Sequence, residues 1–461
     1  MQTKSEIKDF THGNLTKQLI TFALPLFFSN LLQIVYNMAD MIIVGKVLGK
    51  EGISSVSVGG DVTTLLTFAA IGFSSAGQVI IARFIGGNEK HKIGRFVGTM
   101  GGFLAAAAVI ISAVSLIFRH SILDLMNTPI SAYKGALDYS TICMSGLIFI
   151  YGYNTVSAIL RGMGDSKHPF IFISISAVLN VILDLIFVAT PLDMGAAGAA
   201  LATVISQGVS FISCTVFLIC RSGRFELSMR FKDFFAWEPK MLGALLKLGF
   251  PMALKSASVH VSKLFVNSFI NSYGVAVSAF SGIANKLASI ANLISMAMNT
   301  AGSTVVGQNI AAGTFKRAKK AVWQVAAITF GVAIVLSAVI SIFPEQIFGL
   351  FTDEPDPEVT AIAFNYVPIA VLMFFGAASR APMNALINGS GNYATNFVTA
   401  ILDGIVMRIG LALIFGLVIG MHHYGFWLGD ALAGFTPFFV GIVFYFTGNW
   451  KKGKIANTPD N

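Results

Sequence analysis

The sequence predicts an all-α polytopic membrane protein of twelve transmembrane helices in two pseudo-two-fold-related six-helix lobes. Three observations carry this: twelve long apolar stretches, a one-sided placement of basic residues, and a repeat between the halves. Hydrophobic residues make up 55% of the 461-residue chain and charged residues only 11%, against roughly 25% charged in soluble domains. A helix needs about 20 mostly apolar residues to cross a bilayer. Stretches of that kind run over 17–45, 53–82, 96–118, 133–160, 169–190 and 196–220 in the first half. In the second half they run over 241–271, 276–308, 318–343, 358–387, 393–419 and 425–449. No cleavable leader is expected, because Met1 to Thr16 is polar and the apolar stretch after it is long and lacks an A-x-A-like site.

Orientation follows from the 31 Lys and Arg residues. With the N-terminus in the cytoplasm, 22 of them fall on inner segments, from Lys4 and Lys8 through the 83–95, 221–247 and 316–320 clusters to Lys451, Lys452 and Lys454. Only four, Lys46, Lys50, Arg119 and Lys134, fall outside, and five lie within apolar stretches. Basic residues concentrate on the cytoplasmic side of membrane proteins, so both termini are expected there, in a cell membrane. The +9 net charge is this bias, and no nucleic-acid partner is expected. The acidic run Asp353, Glu354, Asp356 and Glu358 falls on an outer loop. Cys143, Cys214 and Cys220 lie in apolar stretches without paired spacing, which reads as packing rather than disulfide or metal binding.

A shift of about 225 residues superposes the halves: Pro25 meets Pro251, Gly49 meets Gly274, and Ile85 meets Ile310. RGMGDSKHP at 161–169 meets NGSGNYATN at 388–396. Six spans per half make the repeat parallel, and such repeats characterise transporters with midplane sites. The expected organisation is a lobe over 1–220, a cytoplasmic linker over 221–240 and a second lobe over 241–461.

Polar residues inside apolar spans are the functional candidates, since a charge at the bilayer centre costs about 2.5–3.5 kcal/mol on insertion scales. Asn30, Gln33, Asn37 and Asp40 are spaced three, four and three apart and so share one helical face. At about 1.5 Å per residue, Asp40 lies roughly 9 Å from the outer end of its span, and Asp184, Tyr139 and Thr203 come out at roughly 10–12 Å. Asn180 lies one turn deeper, and Asp61 reaches a similar level. Two buried carboxylates close together cannot both stay ionised cheaply, so this set suits a proton; oxygen ligands equally suit a hard cation. Interhelical hydrogen bonding is the alternative role, chiefly for Asn180 and Thr203. The second half instead carries Lys255, His260, Lys263, Lys286, Arg380, Asp403 and Arg408 in its spans. Asp403 pairing with a lysine, or a basic cavity wall of Lys263, Lys286 and Arg380 touching an anionic or zwitterionic substrate, are both open. His260 reads as a hydrogen-bonded packing residue.

At these residues the chain resembles the multidrug and toxic compound extrusion (MATE) family, its DinF-like branch more than its NorM-like branch. The resemblance rests on FALPLFFSNLLQIVYNMADMIIVGKVLG at 22–49, AGQVIIARFIGG at 76–87 and ILRGMGDSKHP at 159–169. LNVILDLIF at 179–187, MGAAGAALATVISQ at 194–207 and VGQNIAAG at 306–313 extend it over nearly the whole chain. It implies a secondary antiporter exporting amphipathic drugs or toxic metabolites by alternating access in exchange for H⁺ or Na⁺. The chain would be a monomer in contact with membrane lipid, with no cofactor beyond the coupling ion. It also implies a cation site at Asp40, Asn180, Asp184 and Thr203 with Tyr139 nearby; a metal would lie on Asp40, Asn180 and Asp184 only if the ion is Na⁺. Pro25 matches a first-span proline that lets the helix bend. The NorM-like acidic residue of span seven is absent here, where Lys255, His260 and Lys263 stand.

Two rivals compete. A lipid-linked saccharide flippase of the MurJ-like group resembles this pattern but typically carries fourteen spans and several cavity arginines. An intramembrane enzyme would need a motif such as HExxH or GxSxG, and none is apparent.

The charge asymmetry makes a topological prediction. Single cysteines placed in 221–240 should resist membrane-impermeant thiol reagents in intact cells, and those in 344–357 should react. Labelling of 221–240 from outside would reverse the assignment.

Overall fold

The computed structural model describes residues 6–189, 192, 194–225, 237–349 and 357–452. Among these residues all regular structure is helical, as a bilayer requires of any chain that does not close a β-barrel. In order they are α1 (Leu15–Gly86), α2 (Ile93–Ile117), α3 (Arg119–Leu125), α4 (Ile130–Ser145), α5 (Leu147–Gly162), α6 (Lys167–Phe187), α7 (Gly195–Cys220) and α8 (Pro239–Asn271). Then come α9 (Val275–Ala311), α10 (Phe315–Ile342), α11 (Pro344–Gly349), α12 (Pro357–Gly389), α13 (Tyr393–Ile401), α14 (Met407–Leu413), α15 (His422–Ala433) and α16 (Thr436–Thr447).

Nine helical stretches among the described residues are long and apolar enough to cross a membrane. One is α1, whose 72 residues contain two spans joined at Gly49 (φ 64°, ψ −154°). A left-handed residue there costs glycine nothing and turns the chain without a loop. The bent pair α4 and α5, at 50° to each other, makes one further span. The 33-residue α8 is long enough but less apolar, carrying Lys247, Lys255 and Lys263. Together these account for the twelve expected spans. The break at Gly146 is a departure from the single helix expected over 133–160; there Val204 fills the space a side chain would need. Cys143 and Cys214 are buried as expected, but Cys220 is exposed at the end of α7, so it is not a packing residue. Most of the acidic run and the middle of the 221–240 linker lie outside the described residues.

The chain packs as two compact units. One is built on Leu24–Ala253 together with the segment ending at Asp9; the other is built on Phe10–Ala23 and Leu254–Asn457. The division thus falls inside α1 and α8, within two residues of Pro25 and Pro251. In the second unit Phe10, Leu15, Leu19 and Phe22 are buried. Gln308 Oε1 accepts from Phe10 N (2.8 Å), and Arg317 Nε donates to Phe10 O (2.9 Å). In the first unit Glu6 pairs with Arg221 (2.5 Å) and Arg224 (3.2 Å). Partial burial works to raise the Glu6 carboxyl's pKa, yet the two guanidinium groups hold it below the usual range.

The repeat is written into the backbone. Positive φ recurs at matched positions: Gly49 with Gly274, Asn88 with Gly313, Gly164 with Gly391, and Gly195 with Gly420. Helix caps match too. Asp165 Oδ1 accepts from Lys167 N (3.0 Å) at the start of α6, and Asn392 Oδ1 accepts from Thr395 N (2.9 Å) at the start of α13, each satisfying an orphan donor of a first turn. A close helix contact also recurs. A side chain at Gly162 would meet Gln78 O at 2.8 Å and Ile81 Cβ at 2.9 Å; one at Gly389 would meet Ser303 O at 2.8 Å and Val306 Cβ at 3.0 Å. Gln78 and Ser303, like Ile81 and Val306, are related by the same repeat shift.

Gly162→Val and Gly389→Val should therefore each destabilise the protein, by about 1–3 kcal/mol or more as overpacking does. A thermal-unfolding assay in detergent should show both lowered, and a wild-type transition in either would remove the close contact from the fold's requirements.

Candidate functional site

The first unit gathers its polar residues where α1, α4, α6 and α7 carry them at similar depth. Asp40 is 8% exposed, Asn180 2% and Asp184 fully buried, and Tyr139 is buried beside them. Asn180 Nδ2 donates to Thr203 Oγ1 over a long 3.5 Å. Tyr139 lies near Thr203 and near the Cys143 thiol, close enough for each to act on the other. Asp40 is close enough for its charge to act on Asp184 and on Tyr36, one turn before it on α1. Around this group lies an apolar shell of Val44, Val56, Val188, Ala196, Ala199 and Ala200. All five residues expected at a cation site are thus neighbours. Of the remaining face of α1, Asn30 and Gln33 are partly buried and Asn37 is exposed. Asp61, on the second half of α1, is also partly buried.

What sets the group apart is that four unmet acceptor oxygens lie together in it. Asp40 Oδ1, Asn180 Oδ1 and both carboxylate oxygens of Asp184 are buried with no partner. Burying such oxygens costs several kcal/mol unless something donates to them. Neither aspartate forms an ion pair with a described residue. A proton or a small hard cation meets that need, because every unmet atom is an oxygen acceptor. No group of three or more His, Cys, Asp and Glu side chains among the described residues could hold a metal. A metal cation here would therefore rest on two carboxylates completed by amide and hydroxyl oxygens.

The second unit is charged differently. Arg408 is 1% exposed and donates to Asp403 Oδ1 (3.1 Å) and, over a shorter distance, to Asp430 Oδ1. The pairing weighed between Asp403 and a lysine is thus made with Arg408 instead. The reason is local: Leu402–Val406 is a π-helical turn. Residues five apart on an α-helix point about 140° apart, and the wider π turn brings them nearer one face. Lys255 Nζ donates to Asn384 Oδ1 (2.6 Å). Lys263 lines a cavity with Asn267, Asn285, Tyr366, Trp427 and Asp430. Lys286, expected beside them, is exposed and does not line this cavity. His260 is partly buried.

Asp430 was not singled out from the sequence, although WLGDALAG places an acid inside an apolar span; the depth count applied to the first half would have found it. Tyr36 also escaped notice, and Cys143 is read from the sequence as packing alone, since nothing in their local sequence points to this cluster.

Comparison with known proteins agrees with this architecture. The MatE family profile matches residues 25–186 and 251–417. A probable multidrug resistance protein of Bacillus subtilis, YpnP, is 28% identical over 450 residues, covering 97% of this chain and 98% of its own. A probable multidrug resistance protein NorM of Thermotoga maritima is 24% identical, covering 95% of this chain and 93% of its own. Among solved structures, a MOP superfamily transporter from Pyrococcus furiosus superposes with a TM-score of 0.87 at 22% identity, covering 99% of this chain and 100% of that one. A MATE crystal structure in the bent conformation gives 0.86 at 23%, covering 98% of each. With the family profile covering most of both halves and the fold shared end to end, this chain belongs to the MATE family.

Proposed function

We propose that the chain is a secondary antiporter that exports amphipathic organic compounds from the cell across the cell membrane, exchanging them for H⁺ or Na⁺ by alternating access. The observation that carries this reading is the pair of buried, unpartnered carboxylates at Asp40 and Asp184 in one polar cluster. The curated relatives named as multidrug resistance proteins support the cargo class. A carboxylate without a protein partner binds whichever cation the accessible solution offers. Loading it removes the cost of a buried charge, and unloading restores that cost. A protein that opens alternately to the two sides can thereby tie cargo movement to the ion gradient, because the ion favours one conformation over the other. Asp40 and Asp184 would bind the ion together. Asn180, Thr203 and Tyr139 would supply neutral oxygens and hold the carboxylates in place. Pro25, which removes one backbone hydrogen bond from α1, would let the helix bearing Asp40 bend as the ion comes and goes.

Proteoliposomes with separately imposed pH and Na⁺ gradients test this reading. Asp40→Asn and Asp184→Asn should each lower gradient-driven drug transport at least ten-fold with near-normal expression, because asparagine keeps size and hydrogen bonding but not the charge. The double variant should be no worse than either single, as expected of groups acting as a unit. Asp61→Asn should have a smaller effect. Gradient-driven transport at the wild-type rate in either single variant would place coupling elsewhere.

A further inference from the structure

The second unit holds more positive charge than its own acids can balance. Lys255, Lys263, Arg380 and Arg408 stand within electrostatic reach of one another and of Asp403 and Asp430. Arg408 already engages both carboxylates, and Lys255 is met only by the neutral amide of Asn384. Lys263 and Arg380 form no hydrogen bond or ion pair with a described residue, and Arg380 Nε is buried without an acceptor. Four cations against two acids leave an excess of two positive charges. Bilayer-embedded cations normally pair with an acid or a carbonyl, and these two do not.

There is also a place for an occupant. The cavity lined by Lys263 encloses about 30 Å³ of water-sized space. Its walls are mixed. Val266, Ile270, Ala284, Met373 and the Trp427 ring give apolar surface, Asn267 and Asn285 offer amide donors beside the lysine, and Asp430, engaged by Arg408, lines the same wall. Gly434 lets the arginine pack closely, since a side chain there would come within 3.2 Å of Arg380 Nη2. A cation with amide donors beside aromatic and aliphatic surface suits an oxyanion next to an apolar group, and the enclosed space is the size of the oxyanion head alone. An arginine offers paired N–H groups that fit the two oxygens of a carboxylate or phosphate.

From this we infer that the second unit contains an oxyanion site, centred on Lys263 and Arg380, that takes the carboxylate or phosphate group of a lipophilic molecule. Asp403 and Asp430 are in direct contact with Arg408 and reach Lys263 and Arg380 only across a distance, so the oxyanion falls to the two cations that make no direct ion pair. The identification of that molecule as exported cargo rests on the antiporter reading above; the site itself does not. The same chemistry is offered by an anionic lipid headgroup, and the two sources separate experimentally.

The test is equilibrium binding to the purified full chain without any gradient, so a failure of ion coupling leaves it unaffected. In nanodiscs of phosphatidylcholine, 2-naphthoate should bind saturably and 2-naphthylmethylammonium at least ten-fold more weakly. Lys263→Met and Arg380→Gln should each weaken naphthoate binding at least five-fold, with Arg380→Lys recovering part of the loss. The exposed Lys134→Met should leave binding unchanged. Thermal unfolding of each variant separates lost binding from lost folding, and the partial recovery by lysine is what a merely structural arginine would not give. Displacement of naphthoate by added phosphatidylglycerol would assign the site to a lipid headgroup, and lack of displacement would assign it to cargo. Equal affinity for the acid and the amine, or wild-type naphthoate binding in folded Lys263→Met and Arg380→Gln, would overturn the proposal.

Discussion

Inside a bilayer no water is available to rescue a polar group, so each one must find its partner within the protein. Nearly everything in this structure obeys that constraint. Buried Ser and Thr hydroxyls turn back onto carbonyls of their own or neighbouring helices, as Ser140 does with Ala136 O and Ser295 with Ala377 O. Arg408 takes two carboxylates. Against that background, oxygens and cations left without a partner are costly exceptions, and two groups of them bring charged side chains together. One is the carboxylate and amide cluster of the first unit; the other is the cation group of the second.

The two places show what a duplicated chain can keep and what it can change. The matched left-handed residues, helix caps and glycine contacts are properties of the backbone, and they recur in both halves. The buried charges are not constrained in that way. The first half exposes acids to its interior and the second exposes bases, so the same helical frame presents opposite chemistry. The frame sets where a site can be; the side chains decide what it holds.

Much of this was legible in the sequence, for identifiable reasons. Twelve spans follow from apolar length alone, and Gly49 falls in the gap expected between the first two, 46–52. Asp40, Tyr139, Asn180, Asp184 and Thr203 were grouped by depth along helices, a count that needs only the rise per residue, and the structure makes them neighbours. Other features leave no such trace. Gly146 breaks a span with no proline and only a Ser-Gly pair to mark it. The π turn at Leu402–Val406 inserts a residue into the helical run, so Arg408 could not be matched to Asp403 by α-helical spacing. Lys286 was placed with Lys263 by depth, but depth says nothing about which way a helix face turns, and the structure leaves it exposed.

The central claim is that Asp40 and Asp184 together change their cation occupancy. Infrared difference spectroscopy on purified protein, stepped in pH and in Na⁺ concentration, observes that change directly at the carboxyl carbonyl. The account predicts a carboxyl signal in the wild type that responds to one of these ions and is lost in both Asp40→Asn and Asp184→Asn. A wild-type signal unaffected by either ion, or one that persists in both variants, would contradict it.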